Sequence, residues 1–380
     1  MNSRKAKVEN IGWTLGNECP YRCFYCYSML AREKGKNLFP EAVERIVQQL
    51  SVNEIKTVNL GGNEPLFTNG INPKDTLLPF IIEKLIEKGI VVGLTTAGIT
   101  INYLAEHYSK IFQVLNDVDV SLDSPYPEEH NTNRRAPLFK QALATLNLCK
   151  EAGIEHTIVM CGMSWNLSDQ HIDDLIDLAR KTSSNVRINY LKPTEVKHLH
   201  VMPSAKQFYG SAQRLISASQ VEELGEPLLE SLFLGSESSR GCPCGVKSFR
   251  IHSITPDGRV PVSPCVYLHS YRVGDLLVDD LYDIINSPQF EEFRKRNSNP
   301  DKIDGCANCS FLSSCRGGCA ARSFLCSKNK GMKGLWNKDP YCLLDFNPDI
   351  FLKKTKAKMV QSSKKILVHK DYLCTLIVSP

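Results

Sequence analysis

The segment Cys19-Pro-Tyr-Arg-Cys23-Phe-Tyr-Cys26 follows the apolar run of residues 11–15. A short apolar run predicts a buried strand, and the cysteines then lie on the loop at its carboxyl end. Three thiolates this close together can bind three irons of a cubane cluster and leave the fourth iron open. No His or Cys follows within the loop as the further ligand that a structural zinc site needs. The spacing predicts a reactive metal cluster after the first strand.

Apolar strand-like runs alternate with amphipathic segments from the first strand to about Pro193. The predicted strands are residues 11–15, 55–60, 90–95, 118–122, 156–160 and 186–190. Pro40 is predicted to open one helix, Gly89 to follow the end of another, and Ser168 to cap a third. This repetition predicts an α/β fold with a parallel sheet, either open or closed into a partial TIM-like barrel. Active-site residues then lie at the carboxyl ends of the strands.

Composition excludes several classes of function. The 380 residues are 42% hydrophobic and carry a net charge of only +5, so we expect no nucleic-acid partner. No stretch approaches the ~18–20 apolar residues of a membrane helix, and residues 1–10 lack the apolar core of a signal peptide. We therefore expect a cytoplasmic protein without a membrane partner. In that compartment the fifteen cysteines are expected to bind metals or act in catalysis rather than form disulfides.

A second set of cysteines occupies the C-terminal third of the chain. Eight of them follow regular spacings: Cys242, Cys244, Cys265, Cys306, Cys309, Cys315, Cys319 and Cys342. The elements expected there are short, namely a hairpin that turns at residues 256–258 and a helix over residues 281–296. A segment with so few long elements needs staples, which metal clusters can supply. One zinc ion bound by Cys306, Cys309, Cys315 and Cys319 is the alternative.

The CxxxCxxC loop after the first strand resembles that of the radical S-adenosylmethionine (SAM) superfamily. The resemblance implies that SAM chelates the open iron of a [4Fe–4S] cluster held by Cys19, Cys23 and Cys26. It implies that reduction of the cluster cleaves SAM to methionine and a 5′-deoxyadenosyl radical, which abstracts hydrogen from the substrate. An external one-electron donor, a flavodoxin or a ferredoxin, is then required.

Other motifs are similar to the SAM-binding motifs of that superfamily. Gly61-Gly62-Asn63-Glu64-Pro65 resembles the GGEP motif with one residue inserted. The resemblance implies that Gly61 and Gly62 let the backbone approach the methionyl part of SAM and that Glu64 accepts from its ammonium group. Thr95-Thr96-Ala97-Gly98 stands where relatives often carry Thr-Asn-Gly.

Three more positions are implied to contact SAM. Ser121-Leu122-Asp123 resembles a segment whose serine contacts SAM, and Arg134 is expected to pair with the SAM carboxylate. Tyr25 occupies the position that usually packs near the adenine. A surface salt bridge between Arg134 and Asp123 is the alternative interpretation.

The C-terminal cysteines resemble the SPASM domain, whose pattern is CX9–15GX4C, CX2CX5CX3C and a final C. The domain holds two auxiliary [4Fe–4S] clusters, which brings the expected total to three. Cys244, Cys265 and Cys319 with Cys242 are implied to hold the first, which alternatively keeps an open iron. Cys306, Cys309, Cys315 and Cys342 are implied to hold the second. The chain departs from the pattern in having six residues rather than four between Gly258 and Cys265.

The resemblance indicates a peptide-modifying enzyme, because characterised relatives mostly modify peptides or proteins. We expect cross-linking or oxidation of a ribosomally synthesised peptide. The alternative is dehydrogenation or epimerisation of a small metabolite such as an aminoglycoside or aminocyclitol, and a non-enzymatic metal-bound scaffold is the third interpretation. Sulfatase-maturating relatives carry an acidic residue where Val266 follows Cys265, so that activity is disfavoured. Since the first strand begins near residue 10, a leader-peptide reader is expected to be a separate protein or absent.

The expected organisation has four parts: a radical SAM core over 1–200, a helical linker over 201–240, a SPASM domain over 241–345 and a basic solvated tail over 346–380. Four cysteines lie outside the predicted ligand sets. Cys149 is expected in the core, Cys161 at the active-site edge, and Cys326 and Cys374 in less regular segments. A thiol of this group that lines the cavity could donate hydrogen to a substrate radical.

Overall fold

The computed structural model describes residues 8–29, 37–218, 222–235, 241–329, 334–346, 358–359 and 375–378. Its strands, numbered along the chain, are β1 Asn10–Thr14, β2 Thr57–Gly61, β3 Val91–Thr96, β4 Asp117–Ser121, β5 Glu155–Gly162, β6 Asn185–Tyr190, β7 Glu222–Leu224, β8 Ser248–Ile251, β9 Val262–Ser263, β10 Lys358–Met359 and β11 Thr375–Val378. They form one sheet in the order β10-β11-β7-β6-β5-β4-β3-β2-β1-β8-β9.

Helices connect the strands of the barrel and make up much of the C-terminal segment. They are α1 Pro40–Val52, α2 Leu78–Glu87, α3 Ile99–His107, α4 Ser109–Gln113, α5 Pro127–Arg134, α6 Phe139–Ala152, α7 Asp169–Thr182, α8 Ala205–Ser217, α9 Pro227–Leu234, α10 Leu281–Ile285, α11 Pro288–Ser298, α12 Leu312–Cys315 and α13 Ala320–Asn329. None of the described helices is long and apolar enough to cross a membrane.

The parallel part of the sheet runs from β8 through β1 to β7, and between β1 and β7 at least one helix separates each consecutive pair of strands. The six predicted strands are all present, with ends shifted by at most two residues. Apolar helix residues such as Ile46 and Leu85 are fully buried against the sheet, and each such side chain stabilises the fold by about 1.5–3 kcal/mol. The fold is the predicted partial (β/α)6 barrel.

Local signals at the helix ends act as the sequence predicts. Pro40 is the first residue of α1, where its missing N–H costs no hydrogen bond. The Ser168 hydroxyl accepts a hydrogen bond of 3.3 Å from the backbone N–H of His171 and caps α7. Gly89 follows α2 with a φ of +71°, which glycine adopts without a steric penalty.

The region predicted as a helical linker also contributes a strand to the sheet. Helices α8 and α9 are present, but β7 lies between them and pairs in parallel with β6, Val186 opposite Glu222. This strand has only three residues, two of them acidic, so it lacks the alternation of apolar residues that predicts a strand. Pairing with β6, rather than a pattern of apolar residues, stabilises this strand.

Two further expectations differ from the structure. Part of the predicted solvated tail belongs to the sheet, because β11 pairs with β7 and β10 pairs with β11. Its Thr-Leu-Ile-Val sequence contains three β-branched residues, which favour a strand. The single helix predicted over 281–296 is two helices, since Pro288 lacks the N–H that a continuous helix needs. The hairpin of β8 and β9 is antiparallel, as predicted.

Glu226, just before α9, joins the barrel to the cysteine-rich segment. Its carboxylate accepts from Lys192 Nζ at 2.5 Å and from Arg322 Nη1 at 2.9 Å. Arg322 also donates to both carboxylate oxygens of Asp339, at 3.0 and 2.8 Å. The four side chains are at most 9% exposed. Burial would raise the pKa of Glu226, but attraction by Arg322 and Lys192 holds it below its ordinary value.

The tight contact at Gly98 gives the first testable prediction. Gly98 precedes α3 with a φ of +119°, and an added Cβ would lie 2.7 Å from the backbone carbonyl carbon of Gln141. Because neither the φ nor the neighbouring backbone can adjust cheaply, we expect Gly98→Ala to lower the free energy of unfolding by more than about 2 kcal/mol. The control Gly89→Ala also has a positive φ, but no atom lies within 4 Å of its Cβ, so we expect a loss of about 1 kcal/mol. Anaerobic thermal unfolding measures both; equal losses would contradict the close approach.

Candidate active site and cluster-binding cysteines

A cavity of about 320 Å³ lies between the cysteine loop after β1 and the cysteine-rich segment. Its wall includes Cys19, Cys23 and Cys26, and also Cys242, Cys244, Cys265 and Cys319. The carboxyl-terminal residues of the barrel strands complete the wall, as expected for this fold. Two of the three predicted cysteine groups therefore face one shared space.

The first cysteine group is held by backbone and side-chain contacts around the loop. Cys19 and Cys23 are buried, and Cys26 packs beside them. The Phe24 N–H donates to the Asn133 carbonyl at 3.2 Å, which fixes the loop on α5. Cys26 Sγ lies 3.0 Å from the Ser28 hydroxyl.

Asn63, the residue inserted in the glycine motif, ties this loop to β1. The Ser28 hydroxyl donates to Asn63 Oδ1 at 2.8 Å, and Asn63 Nδ2 donates to the Gly16 carbonyl at 2.6 Å. Asn63 thus connects the loop after Cys26 with the end of β1. The neighbouring Gly62 has no space for a side chain, because a Cβ there would lie 2.2 Å from Thr14 Oγ1.

The three neighbouring thiols of the loop are a donor set that fits a cubane cluster. No group of three or more His, Cys, Asp or Glu side chains in the described part of the chain converges on one metal position. A cubane distributes its thiolates over separate irons, so convergence on one point is not what it requires. Burial raises the pKa of the Cys23 thiol to about 12, and binding to iron would replace its proton. The residues present therefore fit the predicted [4Fe–4S] cluster.

Asp123 is the centre of a buried polar network at the wall of the cavity. Arg134 donates to its carboxylate through Nε at 2.6 Å and Nη2 at 3.1 Å. The Tyr25 hydroxyl lies 2.7 Å from the same carboxylate, and the guanidinium lies 5.7 Å from the centre of the Tyr25 ring. Burial would raise the pKa of Asp123, but attraction by Arg134 lowers it below the ordinary value. The pair is therefore buried and charged, and not the surface salt bridge of the alternative interpretation.

Two other predicted SAM contacts lie in the same wall. Ser121 ends β4 and lines the cavity. Glu64 lines it as well, but its carboxylate accepts from the Ala97 N–H at 2.9 Å and from the hydroxyls of Thr96 and Thr100. Burial raises the pKa of Glu64. The structure therefore gives Glu64 a position that holds the start of α3, and its contact with the SAM ammonium stays a prediction.

The four cysteines of the first C-terminal group pack against one another. The Cys244 thiol is within hydrogen-bonding reach of both Cys242 and Cys265, and Cys319 packs with them. Asp339 accepts from the Cys319 N–H at 2.8 Å, which links this group to the Glu226 network. The grouping matches the predicted ligand set of the first auxiliary cluster, including Cys242.

The second C-terminal group lines a separate small cavity. Its cysteines are Cys306, Cys309, Cys315 and Cys342. Asp339 lines this cavity too, so one carboxylate lies beside both groups. Cys319 lines the large cavity and not this one. Cys319 thus lies apart from the other three cysteines of the single-zinc alternative, and the binding of iron by Cys306, Cys309, Cys315 and Cys342 stays a prediction.

The four remaining cysteines differ in position. Cys149 is fully buried on α6, as predicted, and Cys161 lines the large cavity. Cys326 is buried on α13, where its sulfur lies 3.8 Å from that of Met202. Cys374 lies outside the described residues. Among the described members of this set, Cys161 is the thiol that reaches the cavity.

Charged residues that the sequence did not single out also line the cavity. Lys192 lies two residues after β6, and its Nζ is 5.6 Å from the centre of the Tyr267 ring. Its position just after the carboxyl end of a predicted strand could have indicated an active-site residue. Asp119 and Arg187 form an ion pair inside β4 and β6, and a charge in the middle of a buried strand was the signal there. Arg250 also lies inside a strand, β8, but the sequence predicted only the hairpin turn there.

The contribution of the buried Asp123–Arg134 pair to stability can be compared with that of the exposed Asp173–Arg214 pair. Asp123→Asn would leave the buried Arg134 charge without a charged partner, so we expect a loss of about 3–5 kcal/mol in stability. In the control Asp173→Asn, the partner Arg214 is held by two hydrogen bonds of 2.6 Å, but both side chains are more than one-third exposed. That substitution should cost less than about 1 kcal/mol. Anaerobic thermal unfolding of the two variants provides the comparison, and similar losses would show that Asp123 and Arg134 are not a desolvated pair.

Two family models match successive parts of the chain. The Radical SAM superfamily model matches residues 13–179, and an iron–sulfur cluster-binding domain, SPASM, matches residues 242–310. Among curated relatives, mycofactocin maturase MftC of Mycobacterium ulcerans is 26% identical over 322 residues, which cover 82% of this chain and 83% of MftC.

Solved structures share the fold. SuiB of Streptococcus suis bound to S-adenosylmethionine has a TM-score of 0.65 at 16% identity, covering 89% of this chain and 77% of SuiB. The protein anSMEcpe with bound AdoMet and the Cp18Cys peptide has a TM-score of 0.66 at 18% identity, covering 90% and 96% of the two chains. The matched regions contain the cysteine loop, and both C-terminal groups begin within the SPASM match. This chain belongs to the radical SAM superfamily, as an enzyme that uses SAM and [4Fe–4S] clusters and carries a SPASM domain.

Proposed function

We propose that this enzyme modifies a ribosomally synthesised peptide by cross-linking or oxidation. The main support for this proposal is the shared cavity, because both the loop cysteines and the first auxiliary group line it. A substrate segment in that space would face SAM and an electron-accepting cluster together. The superfamily chemistry supplies a 5′-deoxyadenosyl radical from reductive cleavage of SAM, which removes a hydrogen atom from the substrate. The structure of SuiB bound to its precursor peptide SuiA supports a peptide as the occupant.

SAM is proposed to lie across the carboxyl ends of β1 to β4. Gly61 and Gly62 are proposed to let the backbone approach its methionyl part, and Ser121 offers a hydroxyl at the end of β4. The Tyr25 ring is fixed by its hydrogen bond to Asp123 and can pack against the adenine. Arg134 brings positive charge to the same wall, although Asp123 already occupies two of its nitrogens. These residues orient SAM relative to Cys19, Cys23 and Cys26.

The auxiliary groups are proposed to carry an electron away from the substrate after hydrogen abstraction. Cys242, Cys244, Cys265 and Cys319 would hold the cluster that faces the cavity, and Cys306, Cys309, Cys315 and Cys342 the one beyond it. Asp339 lies next to both groups. A flavodoxin or ferredoxin is the proposed donor for the loop cluster, and a separate leader-peptide-binding protein is a proposed partner.

One observation favours a second candidate, epimerisation. Cys161 lines the cavity, and burial raises the pKa of its thiol well above the ordinary value, so the sulfur keeps its hydrogen. A thiol in this position can return a hydrogen atom to a substrate radical. Turnover in deuterated water separates the candidates: epimerisation adds one deuterium to the product and depends on Cys161, whereas cross-linking and oxidation do not.

Cysteine substitutions test the division of roles. We expect the triple variant Cys19→Ala, Cys23→Ala and Cys26→Ala to abolish formation of 5′-deoxyadenosine, since no thiolate then holds the SAM-binding cluster. Cys306→Ala with Cys309→Ala should leave some SAM cleavage but stop product formation. Anaerobic incubation with dithionite and chromatography of 5′-deoxyadenosine provide the measurement.

Cys149→Ala is the control for these variants, because Cys149 is buried on α6 and lines neither cavity. It should retain both cleavage and product formation. SAM cleavage that persists in the triple variant would contradict the assignment of the loop cysteines.

The peptide substrate is tested with precursor peptides encoded next to the gene. Each synthetic peptide is incubated anaerobically with the enzyme, SAM and a reductant, and its mass is measured. We expect a loss of two hydrogens per modification, from oxidation or bond formation. Unchanged peptides together with a changed aminoglycoside or aminocyclitol would contradict the proposal and favour the small-metabolite alternative.

A further inference from the structure

Three residues form one row across neighbouring strands in the cavity wall. Gly12 on β1 is opposite Arg250 on β8 and opposite Asn59 on β2. Residues in register on adjacent strands project to the same face of a sheet, and all three line the large cavity. The row therefore places a guanidinium and an amide on either side of a residue without a side chain.

Gly12 makes room for the Arg250 side chain. A Cβ built on Gly12 would lie 2.2 Å from Arg250 Cζ and 2.3 Å from Nη1. The guanidinium thus occupies the space above the middle of β1, inside the cavity wall. Any side chain at Gly12 would move the charged group away from that place.

Arg250 differs from the other charged side chains of this wall. Each of the others has a polar or charged partner: Glu64 with Thr96, Asp119 with Arg187, Arg134 with Asp123, and Lys192 with Glu226. Arg250 Nη1 is buried, and no hydrogen-bond partner for it exists among the described residues. The Arg250 side chain as a whole is only partly buried, but a buried guanidinium nitrogen without a hydrogen-bond partner is costly, so a site of this kind favours an anionic ligand.

Asn59 provides a second, independent observation. It is only 2% exposed, and its Nδ2 has no hydrogen-bond partner among the described residues. Its Oδ1 lies 2.9 Å from the Thr95 hydroxyl, which is also 3.1 Å from an Asp119 oxygen. Since a hydroxyl has one proton, Thr95 satisfies one of these acceptors, and the far end of the Asn59 amide stays available to a ligand.

We propose that Arg250 and Asn59 bind a carboxylate of the peptide substrate. This inference rests on the proposed peptide function and adds the chemical class that the cavity recognises. Arg250 suits this role because guanidinium matches carboxylate with two parallel hydrogen bonds. The carboxylate can come from the peptide C-terminus or from an acidic side chain.

The depth of the row distinguishes this site from the expected SAM position. Gly12 lies two residues before Thr14, the partner of Gly61 in the glycine motif, which corresponds to about 7 Å along a strand. The row is therefore deeper in the barrel than the strand ends where SAM is proposed to lie. A carboxylate bound there would hold the substrate below SAM, with a neighbouring carbon presented to it.

Stability provides the first half of the test. Because Arg250 is partly buried and its buried Nη1 has no hydrogen-bond partner among the described residues, the guanidinium should add little to stability, so we expect Arg250→Met to unfold anaerobically at the same temperature as wild type or higher. Arg259→Met is the matched control, an exposed arginine on the same hairpin that does not line the cavity. A lower unfolding temperature for Arg250→Met alone would mean that Arg250 is already satisfied, for example by a turned Asn59 amide, and would overturn the proposal.

Binding provides the second half, measured anaerobically on the cluster- and SAM-loaded enzyme by its thermal shift. The probes are three pools of N-acetylated hexapeptides and, separately, butyrate. One pool has a free C-terminus and no acidic residues, one has an amidated C-terminus and a single Asp or Glu, and one has neither carboxylate. We expect the first or second pool to bind, at least about tenfold more weakly to Arg250→Met and to Gly12→Ala. Arg250→Lys should retain part of the affinity, and SAM affinity should not change.

Each outcome decides the proposal. Binding of the third pool as well as the others, or binding unaffected by Arg250→Met, overturns the carboxylate site while leaving the peptide function intact. Binding of butyrate that depends on Arg250, with no binding of any pool, keeps the site and contradicts the peptide function. A loss of SAM affinity in Arg250→Met reassigns the site to SAM and overturns the proposal, as does the absence of binding by every probe.

Discussion

The buried carboxylate of Glu226 is the constraint on which the arrangement of the two halves depends. It binds Lys192 at the end of the barrel and Arg322 in the cysteine-rich segment, and Arg322 in turn binds Asp339. Two cations and two anions therefore compensate one another where water is excluded. Loss of any one would leave a charge buried without its partner, which costs about 3–5 kcal/mol. Because Asp339 also holds the Cys319 N–H, the same network sets the position of an auxiliary cysteine relative to the cavity.

Charge pairing also determines what the cavity can hold. Arg134, Arg187 and Lys192 bring positive charge to the wall, but each has its own carboxylate partner. The wall is therefore polar but has little net charge at these positions. SAM, which carries both positive and negative groups, can lie on it. Arg250 and Asn59 are different because each keeps a buried nitrogen without a partner. A mostly neutral wall with one unmatched cation favours one orientation of an anionic substrate.

Much of the fold and of the site could be predicted from the sequence, for physical reasons. The six parallel strands are buried on both faces, so they appear as apolar runs, and the loop cysteines have a spacing that few other sites share. The strands β7 and β11 were missed because an existing sheet edge, more than their own pattern, favours their pairing. Glu226, Arg322 and Asp339 were also missed, since a buried ion pair joins residues far apart in the chain and leaves no periodic signal. The role of Arg250 depends on the absence of a side chain at Gly12, which only the register of β1 and β8 shows.

The iron content of the anaerobically purified chain tests the three-cluster organisation most directly. Three [4Fe–4S] clusters correspond to about twelve irons per chain, with as many acid-labile sulfides. The triple variant of Cys19, Cys23 and Cys26 should then contain about eight irons, because the two auxiliary groups are held by other cysteines. A triple variant that retains all of the wild-type iron, or a wild-type chain with zinc in place of part of it, would contradict this organisation.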